Sequence, residues 1–131
     1  MNPPSLHLAG CVIRNAEGQL LLLHRNKNHV QQWELPGGKL EPSEEPQRAA
    51  IRELQEELGV AVTIRAHLGG AAFTEKEREC FYDWYEATLD GQPSICEPQT
   101  FDDLQYWGIS SLRTRTDLSA NLKNLLKSGA L

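Results

Sequence analysis

The residues with the clearest chemical potential lie between positions 38 and 60, where Glu44, Arg52, Glu53, Glu56 and Glu57 fall within a few turns of chain. A helix is predicted over Pro46–Leu58. Proline suits the first helical position, where its missing N–H costs nothing, and Gly59 suits the left-handed position just past the end. Ala50, Ile51, Leu54 and Leu58 recur at helical spacing and form the inward stripe. Glu53, Glu56 and Glu57 then share one arc of about 100° beside that stripe. Ala49 falls within the arc, and its small side chain leaves room for something to approach. Arg52 sits one turn before Glu56 and can pair with it. A solvated charged face is the plain alternative for such a run. The physics counts against it. These carboxylates occupy the last two turns, where the helix dipole disfavours an anion by about 0.3–1 kcal/mol. Glu53 and Glu57 are also a like-charge i,i+4 pair, costing roughly 0.2–0.5 kcal/mol more. Clustered acids are what a hard divalent cation needs, and Mg²⁺ binds through a few carboxylates plus phosphate oxygens. Gly37 and Gly38 let backbone approach such a centre without a Cβ in the way.

Other elements must hold this helix in place. Leu6–Arg14 and Leu20–Arg25 read as strands, joined by a hairpin turn at Asn15-Ala16-Glu17-Gly18. Asn26–Gln32 is polar and reads as a loop. Trp33-Glu34-Leu35 reads as a short extended piece ended by Pro36-Gly37-Gly38, a strong breaker. After the helix, Ala61–Ala72 and Cys80–Leu89 read as two longer strands. Asp90-Gly91-Gln92-Pro93 is a turn, Leu104–Ile109 a strand and Ser119–Lys127 a second helix. The order β-β-β-α-β-β-β-α predicts an α/β (α+β) fold, layered α/β/α around a mixed sheet.

Composition bounds the function. The 131 residues form one domain, 1–131, with 13 basic and 18 acidic side chains and a net charge of −5. Seven of the 18 acids lie between Glu34 and Glu57, so the acidity is local. No basic footprint for DNA or RNA is present, which disfavours nucleic-acid polymers as partners. Cys11, Cys80 and Cys96 make an odd, widely spaced set, pointing to a reducing cytoplasmic setting rather than a disulfide framework. The longest nearly apolar run, Leu20–Leu23, is too short to span a bilayer. The opening MNPPSLHLAG lacks the layout of a signal peptide. The four histidines, His7, His24, His29 and His67, have no zinc-ligand spacing.

The acidic stretch also completes a known pattern. Gly38, five residues, Glu44, seven residues, then Arg52-Glu53-Leu54-Gln55-Glu56-Glu57-Leu58-Gly59-Val60 resembles the Nudix box without a mismatch, over residues 38–60. The resemblance implies an α/β/α sandwich around a mixed sheet, with the box as a loop–helix–loop that binds Mg²⁺ or Mn²⁺. It implies hydrolysis of a nucleoside diphosphate linked to another group, with water attacking phosphorus. By the same resemblance Glu53, Glu56 and Glu57 are the metal ligands, and the carbonyl of Gly38, or of Gly37 before it, is a further one. The residue at Glu53 or Glu57 serves as general base. Arg52 orients a glutamate through a salt bridge, and Glu44 supports the loop or the outer metal shell. Ser43 stands where glycine often precedes the first glutamate of the box, and Glu45 where a Ser or Thr cap is common.

The substrate class is argued more loosely. No proline lies between Val60 and Gln92, where ADP-ribose-cleaving members carry one, and the tyrosine typical of diadenosine-polyphosphate members is missing. The chain resembles the small MutT-like group that acts on nucleoside triphosphates, some of them oxidised. Trp33, within Trp33–Lys39, is a candidate to line the site, with a core or lid place as the alternative. Arg25 and Lys39 are candidate phosphate contacts, with solvated surface charge as the alternative. The segment Glu97–Trp107 resembles the one before the last strand in MutT-like members. It offers Glu97 as a further metal ligand and Asp102 and Asp103 as acceptors for a base edge, an Asx-rich turn being the alternative. Phe81 and Tyr85 alternate with Tyr82 and Trp84, one pair suited to stacking a base and the other to filling the core. The expectation is a Mg²⁺-dependent pyrophosphohydrolase of a nucleoside triphosphate, acting as a monomer or homodimer without a membrane. Its rivals are hydrolysis of a nucleotide sugar or other diphosphate compound, and a non-catalytic nucleotide-binding regulator.

Overall fold

The computed structural model describes residues 5–131. Met1–Pro4, part of the segment read for a leader, lie outside them. The elements are β1 (Leu6–Val12), β2 (Leu20–Lys27), β3 (Val30–Glu34), β4 (Gly37–Lys39), α1 (Pro46–Leu58), β5 (Val62–Glu75), β6 (Arg78–Leu89), β7 (Phe101–Trp107), α2 (Ile109–Leu112) and α3 (Ala120–Ser128). The α+β reading therefore holds, with one refinement. The strands sort into two sheets, ordered β4-β1-β6-β5 and β3-β2-β7. The first is mixed, because β1 runs parallel to β6 and antiparallel to β4. The second is wholly antiparallel.

The split follows from burial on both faces of the leading strands. In β2, Leu21 and Leu23 face one core while Leu20 and Leu22 face another. The turn after β1 does close, with the Gly18 N–H donating to the Asn15 carbonyl at 3.0 Å. Beyond the bridge between Arg14 and Leu20, however, β1 and β2 part into different sheets.

Several expectations on the stretch before the helix are corrected. Asn26–Gln32 is not a loop: β2 runs to Lys27 and β3 starts at Val30. Asn28 and His29 turn the chain with φ of 53° and 64°, the geometry of a two-residue hairpin turn. Polarity concealed the strands because these ends face solvent. Pro36-Gly37-Gly38 does not break the chain either, since Gly37–Lys39 pairs with β1, Gly37 opposite Gly10 and Lys39 opposite Leu8. Glycine is required there: a Cβ on Gly37 would stand 2.5 Å from the Cα of Gly10. Helix α1 spans the predicted residues, and Gly59 ends it with φ 69° and its N–H on the Gln55 carbonyl. Glu45 gives no side-chain cap. Strands β5, β6 and β7 begin or end a few residues from the predicted limits, and α2 is an additional short helix.

Helix α1 packs Ala50, Leu54 and Leu58, all 0% exposed, against β1 and its neighbours in the first sheet. Each such leucine contributes about 1.5–3 kcal/mol through burial. Ala49 is also fully buried, so its small side chain admits the strand beneath it rather than a ligand. The second core joins both sheets to α3 through Trp84, Trp33, Leu122 and Leu125. Among the described residues, no helix is long and apolar enough to cross a membrane.

Candidate active site

The end of α1, strand β4, the start of β1, the tip of the β5–β6 hairpin and the start of α3 enclose a cavity of about 600 Å³. Helix α1 brings two of its acids to this space. Glu57 is 4% exposed and lines the cavity. Its Oε1 accepts the Gly37 N–H at 2.9 Å, and its Oε2 takes no hydrogen bond among the described residues. Burial pushes its pKa well above the ordinary carboxylate range, and the charges of Glu53, Glu34 and Glu97 add to the rise against the Gly37 hydrogen bond. Glu53 lines the cavity beside it and is likewise raised, chiefly by burial. Gly38 passes so close that a Cβ on it would stand 2.5 Å from the Glu53 carboxyl carbon.

Arg52 ties the box together. It donates to Glu44 through Nε and Nη2, both at 2.9 Å, and through Nη2 to the Lys39 carbonyl at 2.9 Å. Its Nη1 reaches Glu53 at 3.1 Å and Glu56 at 3.2 Å. The fork holds the Glu44 pKa down to about 2, with a backbone hydrogen bond from Glu41 assisting. Loop and helix are thereby fixed to one another, and Glu53 is aimed from its own helix.

The predicted site residues separate into three groups. Glu53, Glu57, Gly38, Arg25 and Lys39 line the cavity together. Glu56 and Glu97 do not line it. Glu56 points outward with its side chain 47% exposed and paired to Arg52. Glu97 is near enough to raise the proton affinity of both Glu53 and Glu57. Three other candidates do not line it, and the alternative places weighed for them fit better. Trp33 is 6% exposed in the second core, with its ring 5.1 Å from Trp107 and 4.9 Å from His24. Its backbone holds the approach to α3 by accepting the Ser119 N–H. Asp102 lies away from the cavity, accepting from His24 at 2.6 Å and Asn26 at 2.9 Å. Asp103 is spent locally on the Leu104 N–H and the Gln105 amide.

Arg25 lines the cavity in a bound state, with Nε and Nη2 forked onto Glu34 at 3.0 and 2.9 Å. Glu34, unread from the sequence, thus joins Glu53 and Glu57 as a cavity carboxylate, with Glu75 a fourth. Asn121 was also unread. It lines the cavity from the first turn of α3, and its Oδ1 is buried without a hydrogen-bond partner. Its partial signal was a polar residue preceding the inward Leu122. Leu6, Leu8 and Phe73 complete an apolar wall.

The donor chemistry fits a hard divalent cation: two raised, cavity-facing carboxylates beside a glycine backbone with no Cβ. Among the described residues no three His, Cys, Asp or Glu side chains already converge at ligand distance. A bound cation would therefore take the remainder of its shell from backbone, solvent or substrate oxygens, as Mg²⁺ ordinarily does.

Fold and site define an α+β protein in which a glutamate-bearing loop–helix–loop faces a cleft walled by strands. The chain belongs to the NUDIX family, whose domain profile matches residues 7–128. It is 45% identical over 65 residues to an 8-oxo-dGTP diphosphatase from Proteus vulgaris, covering 48% of this chain and 58% of that protein. It is 41% identical over 51 residues to an RNA pyrophosphohydrolase from Roseobacter denitrificans, covering 39% of this chain and 32% of that one. The matches thus span less than two thirds of these relatives. The crystal structure of a MutT NUDIX hydrolase from Burkholderia pseudomallei superposes with a TM-score of 0.84 at 25% identity, over 98% of this chain and 99% of that one.

Proposed function

We propose that this protein is a Mg²⁺-dependent pyrophosphohydrolase that cuts a nucleoside triphosphate, canonical or oxidised, into a monophosphate and pyrophosphate. The observation that carries the reading is Glu57. A carboxylate this buried costs several kcal/mol, and its one hydrogen bond leaves the other oxygen facing a cavity that Glu53 shares. Such an arrangement is stabilised by a cation. The box relatives and the names of the matched proteins support the same chemistry.

Glu53, Glu57 and the Gly38 backbone would hold the Mg²⁺, with Mn²⁺ able to substitute, while Glu56 and Glu97 supply negative potential from the flanks. A bound cation of this kind neutralises phosphoryl oxygens and makes water acidic enough to attack. Glu53 or Glu57 accepts the proton of that water. Arg52 keeps Glu53 and Glu44 in register. Lys39, unpaired on the rim among the described residues, meets the outer phosphates. Across the cavity, Leu6, Leu8 and Phe73 pack against the base, and the Asn121 amide hydrogen-bonds its edge. The cavity suits one nucleotide, and the net charge of −5 disfavours an RNA or DNA chain. The free thiols of Cys11, Cys80 and Cys96 fit a reducing, cytoplasmic setting.

Glu53→Gln and Glu57→Gln test the reading. Each is expected to lower turnover by roughly 10²-fold or more, with the circular dichroism of the wild type. Each is also expected to lose most of the rise in melting temperature that Mg²⁺ gives the wild type. Near-wild-type turnover in both variants contradicts the assignment.

A further inference from the structure

Tyr82 is a cavity residue whose hydroxyl the reading above does not use. It lies on β6 at 3% exposure, on the face that carries the second core. Its ring passes over Gly10 of β1, and the hydroxyl takes the place a Gly10 side chain would need. At Gly37 of β4 a Cβ would stand 2.5 Å from the same oxygen. Two glycines on neighbouring strands thus leave room for this one hydroxyl. It takes no hydrogen bond among the described residues, although Tyr82 and Gly37 both line the cavity. The hydroxyl oxygen is not among the fully enclosed polar atoms that lack a partner, so it opens onto the cavity, where phenylalanine would fill the same volume without offering a donor. The Gly37 N–H holds Glu57, so the hydroxyl stands at the acidic end of the cavity.

What it can meet there follows from its chemistry. Glu34, Glu53 and Glu57 line the same cavity, and none of them takes its hydrogen bond among the described residues. Burial and the charges of Glu57, Glu34, Cys11 and Glu53 keep the phenol protonated. The Arg25 guanidinium, another donor lining the cavity, is already forked onto Glu34. We propose that the Tyr82 hydroxyl is a substrate-binding donor, giving its hydrogen bond to a phosphoryl oxygen of the nucleotide held against Glu53 and Glu57. This inference rests on the pyrophosphohydrolase reading, and it assigns Tyr82 to the part of the substrate that every nucleotide shares.

The test is Tyr82→Phe, assayed with Mg²⁺ on ATP, GTP, CTP and 8-oxo-dGTP alongside the wild type. The deletion of a hydrogen bond to a charged group is expected to lower kcat/KM by about 10- to 100-fold. The factor should be similar for each substrate the wild type cuts, with the melting temperature of the metal-free variant unchanged or higher. A kcat/KM within twofold of the wild type overturns the proposal. So does a loss confined to one base, which would place the hydroxyl on the nucleobase, or a loss accompanied by a clear fall in melting temperature, which would make it structural. A wild type that cuts none of these nucleotides would instead overturn the reading on which the proposal rests.

Discussion

Glu57 and Glu53 are held in a tension that pH can read. Burial is the largest cause of the raised pKa at each. A carboxyl whose folded pKa exceeds its unfolded value of 4.5 stabilises the fold when protonated, and this contribution is lost as pH rises through the folded value. Glu44 works in the opposite sense. Its pKa of about 2 gives a contribution present above 4.5 and lost as pH falls toward 2. On the proposed reading, protons and Mg²⁺ compete at Glu53 and Glu57 above the ordinary carboxylate range. At subsaturating Mg²⁺, kcat/KM is expected to fall on an acid limb centred above pH 4.5, and the limb should move to lower pH as Mg²⁺ is raised. A limb at or below 4.5 that ignores the Mg²⁺ concentration would contradict this account. At this scale the box glutamates were legible because their placement works against the helix dipole. Glu34 and Asn121 were not, because nothing local marks a side chain that becomes significant only through a neighbour from another element.

The loop entering α1 shows how an element can tolerate a poor local choice. Ser43 is exposed and sits at φ 66°, left-handed geometry that a side chain disfavours. This accounts for the glycine common at that place in the box. Ser43→Gly is expected to raise stability by about 0.5–1 kcal/mol, seen as a higher melting temperature with unchanged kcat, whereas a lower melting temperature would show that the serine side chain contributes something the geometry does not reveal. Helix α1 was legible to the residue because Pro46 and Gly59 punctuate it and its apolar stripe is regular. Strands β3 and β4 were not. Val30–Glu34 has polar residues at its solvent-facing end, and Gly37–Lys39 contains the residues most associated with turns. Pairing to β2 and β1 overrides both tendencies. Trp33 misled in another way: its position beside the glycines suggested the cavity, but strand alternation turns it into the core while Glu34 faces the cavity.

At the scale of the molecule, the two-sheet arrangement makes the cleft. The Leu20–Leu23 run and the alternating aromatics of β6 bury both faces, so each feeds two cores. The sequence pattern indicated the layers and the mixed sheet, but not that a second sheet would stand beside the first, since strand pairing is set by contacts distant in sequence. That second sheet carries Arg25 and Glu34 to the cavity, and α3 closes it with Asn121. The net charge of −5 acquires a local meaning in this frame, because four of the chain's acids, Glu34, Glu53, Glu57 and Glu75, line one cavity. The central claim is that this acidic cleft, loaded with Mg²⁺, cuts a nucleoside triphosphate between the α and β phosphates. The most direct measurement is product identification by ion-exchange chromatography and phosphorus NMR after incubating the protein and Mg²⁺ with canonical, oxidised and sugar-linked nucleotides. Nucleoside monophosphate and inorganic pyrophosphate are expected in equal amounts from at least one triphosphate, and none without a divalent cation. Orthophosphate as the sole released phosphate, cleavage of sugar-linked nucleotides alone, or tight nucleotide binding with no product would contradict the claim.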